Sequence, residues 1–232
     1  MSGAAREPRL LVVDPAVRRP ALEGVEVVLQ GWPGSSRVLR PALEPGQLLA
    51  PGDLDGADGV VLLGSAASVN DDLPWLPPLG AWLDPLLDGT LVVPLLAICF
   101  GHQFLAARAG GEVGFASEDR SVRLGIEPSE FRGSQLLPGV RRLTVVSSHR
   151  EVVTRAPEGF TPVARRAGLA CDALEHRALP LFSVQFHPEA RRRFLRDHRL
   201  EATDEQLAAV AADGDELLNA FRERVLESAG VN

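Results

Sequence analysis

Three apolar runs constrain this chain more than anything else in it: Leu10 to Val13, Gly59 to Leu63 and Leu91 to Ile98. Each is halted by residues that turn the backbone, at Asp14-Pro15, Gly64 and Cys99-Phe100-Gly101. Runs without polar alternation read as strands buried on both faces, as in a parallel sheet. Parallel neighbours need a crossover connection, usually a helix, so such runs imply helices on both sides of the sheet. Val25 to Leu29 reads as a further strand, followed by a Pro/Gly-rich stretch from Gly31 to Gly52. A turn-rich segment from Gly64 to Pro78 leads into a helix over Leu79 to Leu87, and another helix, from His102, follows the strand that ends at Cys99. The expected fold is α/β: a central, mostly parallel twisted sheet with helices on both faces and functional loops at the carboxyl ends of its strands.

The middle of the chain changes character. Between Glu112 and Val184 the apolar runs are short and separated by turns: Ser121 to Ile126, Leu143 to Val146, Phe160 to Ala164 and Pro180 to Val184. They read as a short antiparallel β segment. After Ala190 the pattern becomes helical, with Arg191-Arg192-Arg193 as a solvated helix face. Thr203-Asp204-Glu205-Gln206 has the form of a helix start. Leu207, Val210, Ala211, Leu217, Leu218, Phe221 and Val225 then supply an interrupted apolar stripe for a helical tail that packs on the domain or on a partner.

At 232 residues, 45% hydrophobic and 24% charged, the chain fits one soluble domain with a substantial core and does not fit a disordered one. A net charge of −7 argues against a nucleic-acid partner. With no apolar segment of spanning length and no leader-like N-terminus, neither a membrane partner nor export is expected, and the cytoplasm is the expected compartment. All 24 cationic residues are Arg and Tyr is absent, which removes Schiff-base lysines, a phosphate-loop lysine and Tyr proton donors from the mechanisms available. No cluster has metal-ligand character, and no cofactor is expected.

Cys99 stands out from this background. It sits where a strand should turn sharply into a helix, with small residues, Ala97 and Gly101, two positions to either side. A side chain so placed projects over the end of a sheet, where a nucleophile belongs. Gln185-Phe186-His187-Pro188-Glu189 adds an imidazole and, two residues on, a carboxylate that could orient it. Cys99, His187 and Glu189 thus read as nucleophile, base and anchor of the base. Each motif alone is weak, since a free Cys at a strand end is more often inert packing. Cys171 reads as structural, His102 as a helix-start residue, and His176 and His198 as surface residues.

Taken in order, Gly64-Ser65, the Cys99 elbow, Ser148-His149-Arg150 and the His187 motif resemble the class I (triad-type) glutamine amidotransferase family from about residue 9 to about residue 195. Ser68-Val69-Asn70-Asp71-Asp72-Leu73-Pro74-Trp75 looks like stand-alone members related to the amidotransferase domain of GMP synthase. The resemblance implies a flavodoxin-like sheet and three parts: a flexible N-terminus (1–8), an amidotransferase domain (9–195) and a C-terminal helical extension (196–232). It also implies hydrolysis of the glutamine side-chain amide through a Cys99 thioester, with ammonia passed to a separate synthase or acceptor. The backbone N–H of Phe100 would be one oxyanion donor and that of Ser65 the other. Gly64, Gln103, Ser148, His149 and Arg150 would contact the substrate, Gln103 through its side chain and the 148–150 segment largely through its backbone. The family loop usually reads Gly-Gly-Pro, where this chain has Gly64-Ser65-Ala66. Ser65 is therefore either an oxyanion donor or an ordinary turn residue, and three other readings stay open: a γ-glutamyl amide hydrolase with the same triad, a catalytically silent binding or regulatory subunit, and other cysteine chemistry.

Overall fold

A computed structural model describes residues 6–44 and 49–231. Residues 1–5 of the N-terminal segment, 45–48 of the Pro/Gly-rich stretch and the final Asn232 lie outside the described residues. In chain order the first half runs β1 (Arg9–Val13), α1 (Leu22–Leu29), β2 (Ser35–Leu39), β3 (Gly59–Leu62), α2 (Leu76–Leu87), β4 (Leu95–Ile98) and α3 (Phe100–Arg108). The second half runs β5 (Glu112–Phe115), β6 (Arg123–Phe131), β7 (Arg142–His149), β8 (Glu151–Arg155), β9 (Phe160–Arg166), β10 (Leu169–His176), β11 (Leu181–Val184), α4 (Arg192–Asp197) and α5 (Asp204–Ser228).

Among the described residues nine strands form one sheet in the order β2-β1-β3-β4-β11-β10-β9-β6-β7, while β5 and β8 make a separate antiparallel pair. The first five are mutually parallel, and the rest join antiparallel. The antiparallel segment is thus continuous with the parallel one, with β6 nine residues and β7 eight residues long.

Alternate residues of the central strands feed two cores. Leu10, Val12, Val61, Leu96 and Ile98 meet Val25 and Val28 of α1 and Leu217, Leu218, Phe221 and Val225 of α5. Leu11, Val13, Val60, Leu62, Leu95 and Ala97 meet Leu79, Trp82, Leu83 and Leu86 of α2 and Phe104 and Leu105 of α3. Both faces of the sheet are covered, which is why the strands lack polar alternation.

Val25 to Leu29 is helix, not the strand its β-branched composition suggests. The strand beside β1 is Ser35–Leu39, parallel to it, and a parallel neighbour can be reached only by a crossover, which residues 22–29 provide. Asp14, fully buried at the end of β1, accepts the N–H groups of Ala16 (3.2 Å) and Ala21 (2.9 Å) and so steers the chain into α1. Later in the chain, Thr203 caps α5: its hydroxyl accepts the Gln206 N–H at 3.2 Å, and Gln206 Oε1 accepts the Thr203 N–H at 3.0 Å.

Candidate active site

Because β1, β3, β4 and β11 are parallel and adjacent, their carboxyl ends share one edge of the sheet. Gly64 follows β3, Cys99 follows β4, and Gln185 and His187 follow β11. Edge strand β7 reaches the same place, as the His187 N–H donates to Val146 O at 3.0 Å. These residues lie in a cleft of about 1020 Å³, lined by Gly64, Ser65, Cys99, Gln103, Ser148, His149, Arg150, His187 and Glu189 among others.

Cys99 has φ +51° and ψ −103°, a conformation that L side chains rarely adopt and that costs about 1–3 kcal/mol. It is held there by its N–H donating to Val184 O (2.8 Å) and its carbonyl accepting the Gln103 N–H (3.0 Å). That second bond is the first of α3, so the N–H groups ahead of it, that of Phe100 included, have no intrahelical acceptor. Gly101 serves the elbow by being small: a Cβ there would lie 2.5 Å from Leu62 O, so only glycine lets α3 press against β3. Gly64 does the same at the floor of the cleft, where a Cβ would come within 3.0 Å of His187 Cε1 and 3.4 Å of Cys99 Cβ.

His187 Nδ1–H donates to Glu189 Oε1 at 2.7 Å, and both side chains are buried. Burial favours the neutral imidazole, but the charges of Glu189 and Cys99 and hydrogen bonds to both outweigh it and push His187 up to about 10. Glu189 Oε2 has no partner among the described residues. Cys99 Sγ lies 3.8 Å from Ser148 O and 3.7 Å from Gln185 Nε2, a side-chain donor that nothing in the flanking sequence singles out.

The remaining expected residues divide. Gln103 is buried beside the cleft, its amide donating to Glu151 O (2.6 Å) and Gln185 Oε1 (3.2 Å), so it braces the site as well as lining it. His149 lines the cleft with both ring nitrogens unpartnered among the described residues, and burial, with Arg166 nearby, pushes it down to about 3. The Ser65 hydroxyl is engaged in the loop, donating to Pro15 O (2.8 Å) and accepting the Ala67 N–H (3.2 Å). His102 points away from the cleft: Nε2–H donates to Cys171 O (3.1 Å), Nδ1 accepts from Ser183 Oγ (2.9 Å), and burial pushes it down to about 3. Cys99 and Cys171 are both free thiols.

Sequence reasoning misses the support behind the 147–149 segment. Arg166 makes two 2.8 Å bonds to the Asp172 carboxylate and also holds Glu127 and Ser147. Arg165-Arg166 resembles surface charge locally, and only strand pairing puts Arg166 inside. Also missed is Phe194, whose ring lies 4.6 Å from that of His187. Among the described residues no group of His, Cys, Asp and Glu could hold a metal ion, and no helix is long and apolar enough to cross a membrane.

A GMP synthase (glutamine-hydrolyzing) subunit of Thermococcus kodakarensis is 41% identical over 101 residues, 42% of this chain and 51% of that protein. Its Thermoplasma acidophilum counterpart is 33% identical over 141 residues, 59% of this chain and 66% of that protein. The chain thus spans between about half and two thirds of these curated relatives. A glutamine amidotransferase structure from Thermotoga maritima superposes with a TM-score of 0.75 at 19% identity, covering 97% of this chain and 99% of that one. The structure of a putative GMP synthase subunit from Thermoplasma acidophilum gives 0.66 at 23% identity, covering 94% and 98%. At these identities the structural likeness concerns the fold. The sequence model of class I glutamine amidotransferases matches residues 47–203, more than half of the chain and every segment of the cleft floor from Gly64 to Glu189. This chain belongs to the class I glutamine amidotransferase family.

Proposed function

We propose that the chain is a glutaminase-type amidotransferase that hydrolyses the side-chain amide of glutamine to glutamate and ammonia through a Cys99 thioester. The observation that carries this reading is the convergence of a positive-φ Cys99, the His187–Glu189 pair and the close-approach Gly64 at the floor of one cleft.

A primary amide is a poor electrophile and needs a strong nucleophile. Cys99 supplies it, attacking as the thiolate with its proton carried by the His187 imidazole. Sγ adds to the amide carbon, and the charge that develops on oxygen is met by the N–H groups of Phe100 and Ser65. His187 then gives its proton to the nitrogen, the C–N bond breaks, and ammonia leaves a thioester. Water, deprotonated by the now neutral imidazole, attacks that thioester and returns thiolate and glutamate. Glu189 orients the ring and stabilises its cationic form without taking the proton. Gln103 and residues 148–150 hold the α-amino and α-carboxylate ends. The released ammonia passes to a separate synthase subunit, in keeping with the naming of the relatives as subunits of a synthase.

The size of the cleft favours a second reading. At about 1020 Å³ it stands at the upper end of sites for drug-sized ligands, larger than glutamine needs, and has room for a γ-glutamyl amide with a bulkier amine. Turnover of free glutamine against γ-glutamyl amides, with Cys99→Ala as control, separates the two. A diazo-ketone glutamine analogue should label Cys99 and spare Cys171; labelling confined to Cys171, in folded protein, rejects both readings. His187→Ala should nearly abolish turnover while Glu189→Gln leaves a weaker enzyme, and wild-type rates in both would reject the triad.

A further inference from the structure

The His187 imidazole is fixed at one edge by Glu189, and one of its faces is covered. Phe194 lies against that face with ring centroids 4.6 Å apart and planes tilted by 43°. Phe194 is itself held tightly. Its N–H donates to Glu23 Oε2 at 2.7 Å, the N–H of Arg193 donates to Glu23 Oε1 at 3.2 Å, and Arg19 binds Asp197 at 2.9 Å. Glu23 lies in the first turn of α1 and Arg19 just before it, so α1 and its lead-in clamp α4 at the cleft wall. On its far side the Phe194 ring stacks on His198 at 4.1 Å with an 18° tilt.

We propose that Phe194 is a positioning residue for His187, its ring face setting the plane of the imidazole and favouring the imidazolium over the neutral ring. The inference rests on His187 being the proton carrier of the reaction proposed above. An aromatic face attracts a cation within about 6 Å of its centroid, and more strongly where water is excluded, as beside this buried imidazole. The titratable groups facing His187 are Glu189 at Nδ1, the Cys99 thiol from the β4–α3 turn and His149 from the end of β7. From α4 the uncharged Phe194 ring packs on the imidazole, while Arg193 and Asp197 of that helix and His198 at its end line the same cleft. A proton carrier must be stable in both forms and aimed at two different atoms in turn, the departing nitrogen and the attacking water, and a covered face limits its rotation.

Two variants separate packing from the π face. Phe194→Leu keeps an apolar side chain without a ring, and Phe194→Tyr keeps the ring. In the Leu variant the NMR titration of the His187 imidazole should move down by about one pH unit, about tenfold in its ionisation constant. Its kcat should fall about tenfold with KM within about twofold, and the Tyr variant should restore both readouts to within about twofold of wild type. If the Leu variant does not fold, Phe194→Met replaces it. A Leu or Met variant with unchanged titration and kcat, or a Tyr variant as impaired as Leu, overturns the proposal. A wild-type protein that turns over neither glutamine nor γ-glutamyl amides overturns the functional reading instead, and the titration still decides whether Phe194 stabilises the cation.

Discussion

Cys99 carries a strained backbone that neighbours from two strands and a helix enforce, and the glycines around it show how little room is left. A Cβ on Gly64 would meet the edge of His187 at 3.0 Å and Cys99 Cβ at 3.4 Å, distances a side chain can relieve by shifting a few tenths of an ångström. A Cβ on Gly101 would meet a backbone oxygen, Leu62 O, at 2.5 Å, and the backbone cannot yield so cheaply. Gly64→Ala should therefore lower kcat at least tenfold, since a displacement of about 1 Å can cost about a hundredfold, while the thermal midpoint moves little. Gly101→Ala should lose about 1–3 kcal/mol of stability, several degrees in Tm, along with activity. Differential scanning calorimetry beside steady-state kinetics checks both, and equal Tm losses would show that the two glycines do the same work. The turn at Cys99 and the pairing of His187 with Glu189 were legible from their own motifs. Gln185 and Phe194 were not, because their roles come from what they face and not from what flanks them.

Among the elements, α5 packs against the loop that carries His187 and Glu189. Gly214 lies in the middle of this helix, where Ala is ordinarily favoured by about 1 kcal/mol, yet a Cβ there would fall 2.2 Å from Pro188 O. Pro188 separates His187 from Glu189, and Arg191 ties the same loop to α5 by donating to Pro188 O at 2.9 Å and to Asp215 at 2.5 Å. Gly214→Ala should thus reduce stability by about 1–3 kcal/mol against its helix propensity and lower kcat as well. The exposed Ala212→Gly should cost only about 1 kcal/mol and leave kcat unchanged. Chemical denaturation with parallel rate measurements tests this, and a Gly214→Ala variant more stable than wild type would refute the contact. The helix start at Thr203 was legible because capping is local chemistry. The identity of α1 was not: Val25, Val27 and Val28 suit a strand as well as a helix, and the crossover between parallel neighbours made the choice.

For the whole molecule, three buried histidines shape stability against pH in opposing ways. His102 and His149, pushed down to about 3 from 6.5, are neutral in the fold, so the unfolded chain binds more protons between those values. Their contribution is present above pH 6.5 and lost as pH falls toward 3. His187, pushed up to about 10, binds its proton more tightly when folded; its contribution is full below pH 6.5 and lost as pH rises through 10. The histidine contribution to Tm should peak near pH 6.5. His102→Gln should flatten the acid side, and Glu189→Gln, by removing the charge that holds the His187 proton, the alkaline side. Unchanged slopes in both variants would refute the assignment. The sequence by itself determined the features that local chemistry controls: the doubly buried strands β1, β3 and β4, the elbow at Cys99, the cap at Thr203 and the closeness of His187 to Glu189. Only the tertiary structure decided that Val25 to Leu29 is a helix and that polar Ser35–Leu39 is a strand. It also decided that the antiparallel strands continue the parallel sheet, that Arg166 is interior, and that Phe194 covers His187. The physical reason is range: turns, caps and apolar runs are settled between residues a few positions apart. Crossovers, strand register and the packing of a ring on an imidazole depend on segments far apart in the chain, which meet only when the sheet forms.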